Sequence, residues 1–179
     1  MGCCTVDTQT DVLAVDPVKV PETKDSEHAC KSCKGAGRPV TRKTVLLMLK
    51  PQCFDQVGDS EYRFCASLEC RVVYFAEDSE TRFTTDDVRG RVGLKEREDP
   101  IPLCYCFGFD ERDVRDEITV TGRCSIPQRV ATLIRKGMCA CVERNPSGKC
   151  CLGDLNRAVK NLMSEMVENT GAGVTTIKV

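Results

Sequence analysis

Fourteen of the 179 residues are cysteine, and most of them stand in short-range pairs. Cys30 and Cys33 lie in ACKSCKGAG, Cys65 and Cys70 in FCASLEC, and Cys104 and Cys106 in LCYCFGF. Cys139 and Cys141 follow in GMCACVE, and Cys150 and Cys151 in NPSGKCCLGD. Thiolates at such spacings are soft ligands for zinc, copper(I) or iron–sulfur clusters, or else disulfide partners. His28 is the sole histidine, and there is no Ser/His/Asp set, P-loop or GxGxxG. Hydrolytic and nucleotide-dependent chemistry is therefore not expected; the pattern is that of a metal-binding protein rather than an enzyme.

Compartment decides between metal and disulfide. The first thirty residues lack a basic stretch followed by an apolar one, so no secretory signal is read there. No apolar run approaches the ~20 residues of a membrane-spanning helix. The expected location is cytoplasmic, where clustered cysteines more often hold metal. Adjacent Cys150 and Cys151 could bridge each other only with strain. The opening MGCC lacks the Ser or Thr of a myristoylation signal, having Val6 there instead. With 26 basic and 27 acidic residues the chain has no electrostatic footprint for nucleic acid or an anionic membrane.

Cys30 and Cys33 make C-x2-C, and Cys65 and Cys70 make a looser C-x4-C just before a strand-like run. Two such local pairs can close a tetrahedron of four thiolates around Zn²⁺. Gly35 and Gly37 would let backbone N–H groups turn toward the thiolates and spread their charge. Competing ligands are Cys53 and His28. A redox-active C-x2-C would need a βαβ setting, which the pattern does not supply.

The second group is less determined. Six thiols, Cys104, Cys106, Cys139, Cys141, Cys150 and Cys151, compete for four positions. The first two stand before a predicted helix and the others between two helices. Both sets are thus expected at helix N-termini, whose free N–H groups suit an anionic cluster. Asn145, Pro146 and Gly148 predict a turn that folds the chain around it. Spacing alone leaves a second zinc site open. Of two adjacent cysteines only one is expected to face the metal.

The elements that must place these thiols are short. Aromatics are 5% of the chain and Trp is absent, so the core is thin and metal staples are expected. Residues 1–26 read as a flexible arm, 28–98 as a β-rich zinc-binding domain, 102–168 as a helical domain, and 169–179 as a disordered tail. Together these give an α+β chain. RVVYFAE predicts a strand over 71–77, with weaker strands in TRFTT and RVGLKE. Thr41 can cap a helix that Pro51 closes, and REDPIP reads as a linker. Asp110 and Ser125 can cap two further helices, the second stopped at Gly137. Leu155, Ala158, Val159, Leu162, Met163 and Met166 recur on one face of the last helix and predict its core stripe.

CYCFGF followed by CACVERNPSGKCCLGD resembles the N-terminal domain of archaeal CopZ-type copper chaperones. ACKSCKGAG, FCASLECRVVYF and VGLKEREDPIPLCYCFGF resemble the zinc-binding half of the same domain. The second half is also similar to bacterioferritin-associated ferredoxin, a small helical [2Fe–2S] fold. The resemblance spans roughly residues 28–155. It implies a zinc site beside a [2Fe–2S] cluster, held by Cys104, Cys106, Cys141 and Cys151, with Cys139 and Cys150 as alternates. This ligand set follows the family's C-x-C-E-x-x-N-P-x-G-x-C-C block, from which the chain departs in having Val142 before Glu143. The resemblance also implies copper handling, with one-electron reduction of Cu²⁺ and a copper-transporting ATPase as partner. In full-length chaperones of that family a separate domain with a Met-x-Cys-x-x-Cys loop carries Cu⁺. These 179 residues contain no such loop, and Cys3 and Cys4 are the candidates here for capturing a soft metal. The rival expectation is a plain ferredoxin-type electron carrier without metal cargo.

Overall fold

A computed structural model describes residues 28–171, with side chains described as far as residue 166. The arm, with Cys3 and Cys4, and residues 172–179 lie outside that range. The first half is a four-stranded antiparallel meander of β1 (Gly37–Val40), β2 (Tyr62–Cys65), β3 (Val72–Ala76) and β4 (Arg82–Thr84), in that order. All five β3 residues are buried. This is the predicted β-branched and aromatic strand, and its burial on both faces explains its lack of polar alternation. Helix α1 (Arg42–Met48) follows β1 and is capped as expected, the Thr41 hydroxyl accepting from Thr44 N–H at 3.1 Å. A 3-10 turn at Pro51–Gln56 follows.

Val45, Leu49, Phe64, Val73, Tyr74 and Phe83 form one core. A smaller cluster seats Cys30, Cys65 and Cys70 among Val72 and Phe75. Gly37 is needed at the junction: a Cβ there would meet Phe75 Cζ at 2.4 Å and the His28 carbonyl oxygen at 2.9 Å. The strand expected in RVGLKE does not form. Gly93–Lys95 is a 3-10 turn instead, and a Cβ on Gly93 would fall 2.0 Å from the Pro102 carbonyl oxygen.

The second half opens with a two-stranded ribbon, β5 (Pro102–Cys104) and β6 (Phe109–Asp110), that the sequence reading did not foresee. Then come α2 (Glu111–Thr121), α3 (Ile126–Arg135), a single turn α4 (Cys141–Arg144) and α5 (Leu152–Gly171). Asp110 caps α2 in a reciprocal box with Asp113. Ser125 does not cap α3 with its side chain; its hydroxyl instead bonds Glu117 Oε1 at 2.6 Å. Gly137 sits past α3 at φ 71°. Leu155, Val159 and Leu162 are buried against Val114, Ile118, Ile126 and Val130, and Met166 packs at their edge. Met163 departs from the predicted stripe and is exposed. Helix α5 runs to Gly171, into the segment expected as tail.

The halves are stitched together by polar contacts, of which the first is buried. Tyr74 on β3 donates its hydroxyl to the Pro146 carbonyl at 2.8 Å. Thr44 on α1 donates to the Val142 carbonyl at 2.7 Å, and Gly93 N–H donates to the Tyr105 hydroxyl at 2.7 Å. Lys43 pairs with Glu143 at 3.2 Å.

Candidate metal centres

The loop before β1 and the ends of β2 and β3 converge on the first site. Cys30 and Cys33 flank a tight turn in which Lys34 donates its N–H to the Cys30 carbonyl, and Cys30 N–H bonds the Gly35 carbonyl at 2.9 Å. Lys34, not a glycine, takes the left-handed conformation there, at φ 61°. Gly35 turns its N–H to the Cys33 sulfur as expected, whereas Gly37 serves packing in β1. Cys65 closes β2, and Cys70 lies two residues before the start of β3.

The sulfurs of Cys30, Cys33, Cys65 and Cys70 all lie within 4.8 Å of one another. Cys30 and Cys70 are 3.9 Å apart, and Cys33 and Cys65 3.6 Å. A tetrahedron with zinc–sulfur bonds of about 2.3 Å has edges of about 3.8 Å. The four sulfurs therefore fit one closed tetrahedral ion. Burial pushes the Cys65 thiol up to about 12 and also raises Cys70. Burial acts on Cys33 in the same direction, but the Gly35 N–H and the neighbouring thiols outweigh it and bring Cys33 down to about 7. Four such thiols ionise together only around a cation. Lys95 offsets part of the charge: its Nζ bonds the Ser67 and Cys70 carbonyls and its field lowers Cys65. Nothing in the sequence spacing pointed to Lys95.

Neither competing ligand joins the group. Cys53 is buried in the main core with its sulfur 3.7 Å from Asp87 Oδ1, and burial followed by the Asp87 charge raises its thiol. His28 Nδ1 lies 3.3 Å from Glu77 Oε1.

The second group has a different geometry. Cys106 and Cys141 sulfurs are 3.6 Å apart. Cys104 and Cys151 form another interacting pair, each shifting the ionisation of the other. The Cys151 contact first, then N–H groups of Phe107 and Cys106 against burial, bring Cys104 down to about 6, while the Cys104 contact and burial raise Cys151. Cys141, raised to about 12 chiefly by burial, accepts the Cys151 N–H. Ala140 N–H donates to the Cys106 sulfur at 3.3 Å. Among the described residues only the first group forms a compact metal-sized cluster of three or more ligands. The second arrangement is two thiol pairs side by side. Cys139 is half-buried and Cys150 exposed, and neither is in sulfur–sulfur contact with these pairs.

The expected helix-end placement is half right. Cys141 begins α4 and Cys151 precedes α5, but Cys104 ends β5 and Cys106 sits in the β5–β6 turn. The cap of α2 is Asp110, so its N-terminus does not serve these two thiols. The turn between Cys141 and Cys151 forms as predicted. Asn145 Nδ2 donates to the Lys149 carbonyl at 2.8 Å, its Oδ1 accepts from Ser147 N–H at 3.0 Å, and Gly148 takes φ 65°.

Comparison with known proteins shows what the chain is similar to. Residues 27–89 match the family described as a zinc binding domain, of CopZ type. The copper chaperone CopZ of Archaeoglobus fulgidus is 34% identical over 129 residues, covering 72% of this chain and 60% of its own length. The X-ray structure of the CopZ N-terminal domain from that organism superposes with a TM-score of 0.61 at 32% identity, covering 72% of this chain and 95% of that one. The chain thus spans about 60% of the length of the curated chaperone and nearly all of the solved domain. On that coverage and identity, this chain belongs to the CopZ N-terminal domain family.

Proposed function

We propose that this chain is a metallochaperone-type protein of copper or other soft-metal handling, with one zinc site and one [2Fe–2S] site. The observation that carries the reading is the contrast between the two thiol groups. Cys30, Cys33, Cys65 and Cys70 make one tetrahedron-sized set with no open position, which suits a structural zinc. Cys104, Cys106, Cys141 and Cys151 make two adjacent pairs, which suits two irons taking two thiolates each. Sulfur-directed N–H groups from Cys106, Phe107, Ala140 and Cys151 favour the ionised thiolates there. A bound cluster would supply one-electron chemistry. The chain's own part is to hold the thiolates, donate N–H bonds to them and bury three of the four.

The domain reading fits the same picture: a β-rich zinc unit over 28–98 and a helical unit over 102–168 that resembles bacterioferritin-associated ferredoxin. A copper-transporting ATPase, or another metal-handling protein, is the proposed recipient of cargo, and Cys3 and Cys4 the proposed points of soft-metal capture. Anaerobic Cu⁺ titration of the metal-loaded protein tests the cargo. Stoichiometric tight binding supports a chaperone; no binding favours the ferredoxin-type electron carrier.

A further inference from the structure

Beside the second thiol group opens a cavity of about 260 Å³, bordered by Leu47, Met48, Arg89, Arg91, Tyr105 and Arg144 among others. Three guanidinium groups line it and no carboxylate does. Arg91 is paired with Glu96 at 2.5 Å. Arg89 places Nε on the Leu49 carbonyl at 2.6 Å and lies over the Phe54 ring. Arg144 donates to the Cys106 carbonyl at 3.3 Å. Among the described residues neither Arg89 nor Arg144 has a carboxylate partner. Their charges face solvent around an apolar patch in which Leu47 is 40% exposed and Phe54 36%.

The patch adjoins the thiol pairs directly. Tyr105 lies between Cys104 and Cys106 in sequence and forms part of the cavity wall. Cys106 is the one proposed cluster ligand that is not buried. An apolar centre with a basic rim is the form that suits a small, transient, charge-steered interface.

We infer that the arginine-lined cavity beside Cys106 is the docking site of an acidic protein that donates one electron. This rests on the [2Fe–2S] reading above. The donor would lose one electron and a bound [2Fe–2S] cluster would gain it, with no bond made or broken and no proton moved. Arg89 and Arg144 meet the partner's carboxylates, and Leu47 meets its apolar centre.

The probe is a plant-type [2Fe–2S] ferredoxin of acidic surface. In stopped flow, its reduced form should reduce the oxidised protein at a rate that falls steeply with salt. The Arg89→Gln/Arg144→Gln variant should slow that step at least about tenfold, the low end of electrostatic steering. Its reduction by neutral photoreduced deazaflavin should be unchanged. Arg89→Gln alone, which touches no proposed ligand, keeps the test valid if the Arg144 change disturbs the cluster. A salt-independent rate, or equal rates in the variants, overturns the proposal. Titrating the oxidised ferredoxin into ¹⁵N-labelled protein reads docking itself, with or without a cluster. Shifts at Leu47, Arg89 and Arg144 support it; shifts elsewhere, or none, overturn it. If citrate at equal ionic strength shifts these residues and ferredoxin does not, the site takes a small anion and the inference fails. Localised shifts in a protein without a visible cluster would sink the [2Fe–2S] reading alone.

Discussion

Tyr74→Phe should loosen the loop that carries the second thiol group while leaving the first site filled. Tyr74 is fully buried, and its hydroxyl reaches across from β3 to the Pro146 carbonyl at 2.8 Å. Burial holds the phenol protonated, so it remains a donor at every working pH. Phe keeps the ring and its packing against Phe64, whose centroid is 6.1 Å away. What is lost is one buried hydrogen bond, and the buried Pro146 carbonyl is left unpaired. That costs roughly 1–3 kcal/mol. In a chain of this size it corresponds to a melting temperature lower by roughly 2–10 °C. Pro146 lies between Cys141 and Cys151, so the slack falls on two proposed cluster ligands. The assay is urea unfolding of the metal-loaded protein, paired with the rate of visible bleaching under chelator. Stability should fall and bleaching should accelerate, with zinc content unchanged. A stability loss below about 0.5 kcal/mol with unaltered bleaching would refute the reasoning.

Cys33→Ser should abolish zinc binding and lower the stability of the first half, since metal binding there is folding energy; atomic absorption and calorimetry check this. Because Tyr74 and Thr44 brace the Cys141–Cys151 loop, that variant should retain most of its visible chromophore but lose it faster. Deleting residues 1–26 should leave iron and zinc contents unchanged, as both thiol groups lie within residues 28–171. The Asp87 carboxyl is held below its ordinary value: burial opposes this, but the Thr84 N–H and hydroxyl and the Cys53 thiol outweigh it. Its contribution is therefore present above the unfolded value of about 4 and is lost as pH falls below it. Asp87→Asn should be less stable at neutral pH, and its deficit relative to the parent should shrink in acid unfolding curves.

The parts of the fold that were legible in sequence are those where one local signal suffices. The all-apolar run of β3, the Thr41 cap of α1 and the Asp110 box of α2 are of this kind. The first cysteine group was legible because each pair is local and only the meeting of pairs is tertiary. The remainder depends on partners distant in sequence. The short strands β1 and β5 exist because β2 and β6 lie beside them, and their three or four residues carry little alternation. RVGLKE reads as a strand by composition, yet Gly93 must pass within contact of Pro102, which a pleated strand would prevent. Ser125 was diverted from its cap by Glu117, a residue on the preceding helix that also binds Arg129. The approach of Cys106 to Cys141, and of Cys104 to Cys151, crosses α2 and α3, so spacing alone left six candidate thiols.

The measurement that bears most directly on the central claim is metal and sulfide analysis, with a visible spectrum, on anaerobically purified protein and its single Ser variants. The account predicts about one zinc per chain, with iron and acid-labile sulfide in the proportion of a [2Fe–2S] cluster. Cys141→Ser and Cys151→Ser should bleach or shift the spectrum, whereas Cys139→Ser and Cys150→Ser should not. A protein holding zinc at both thiol groups without iron, or the reverse pattern among the variants, would contradict it.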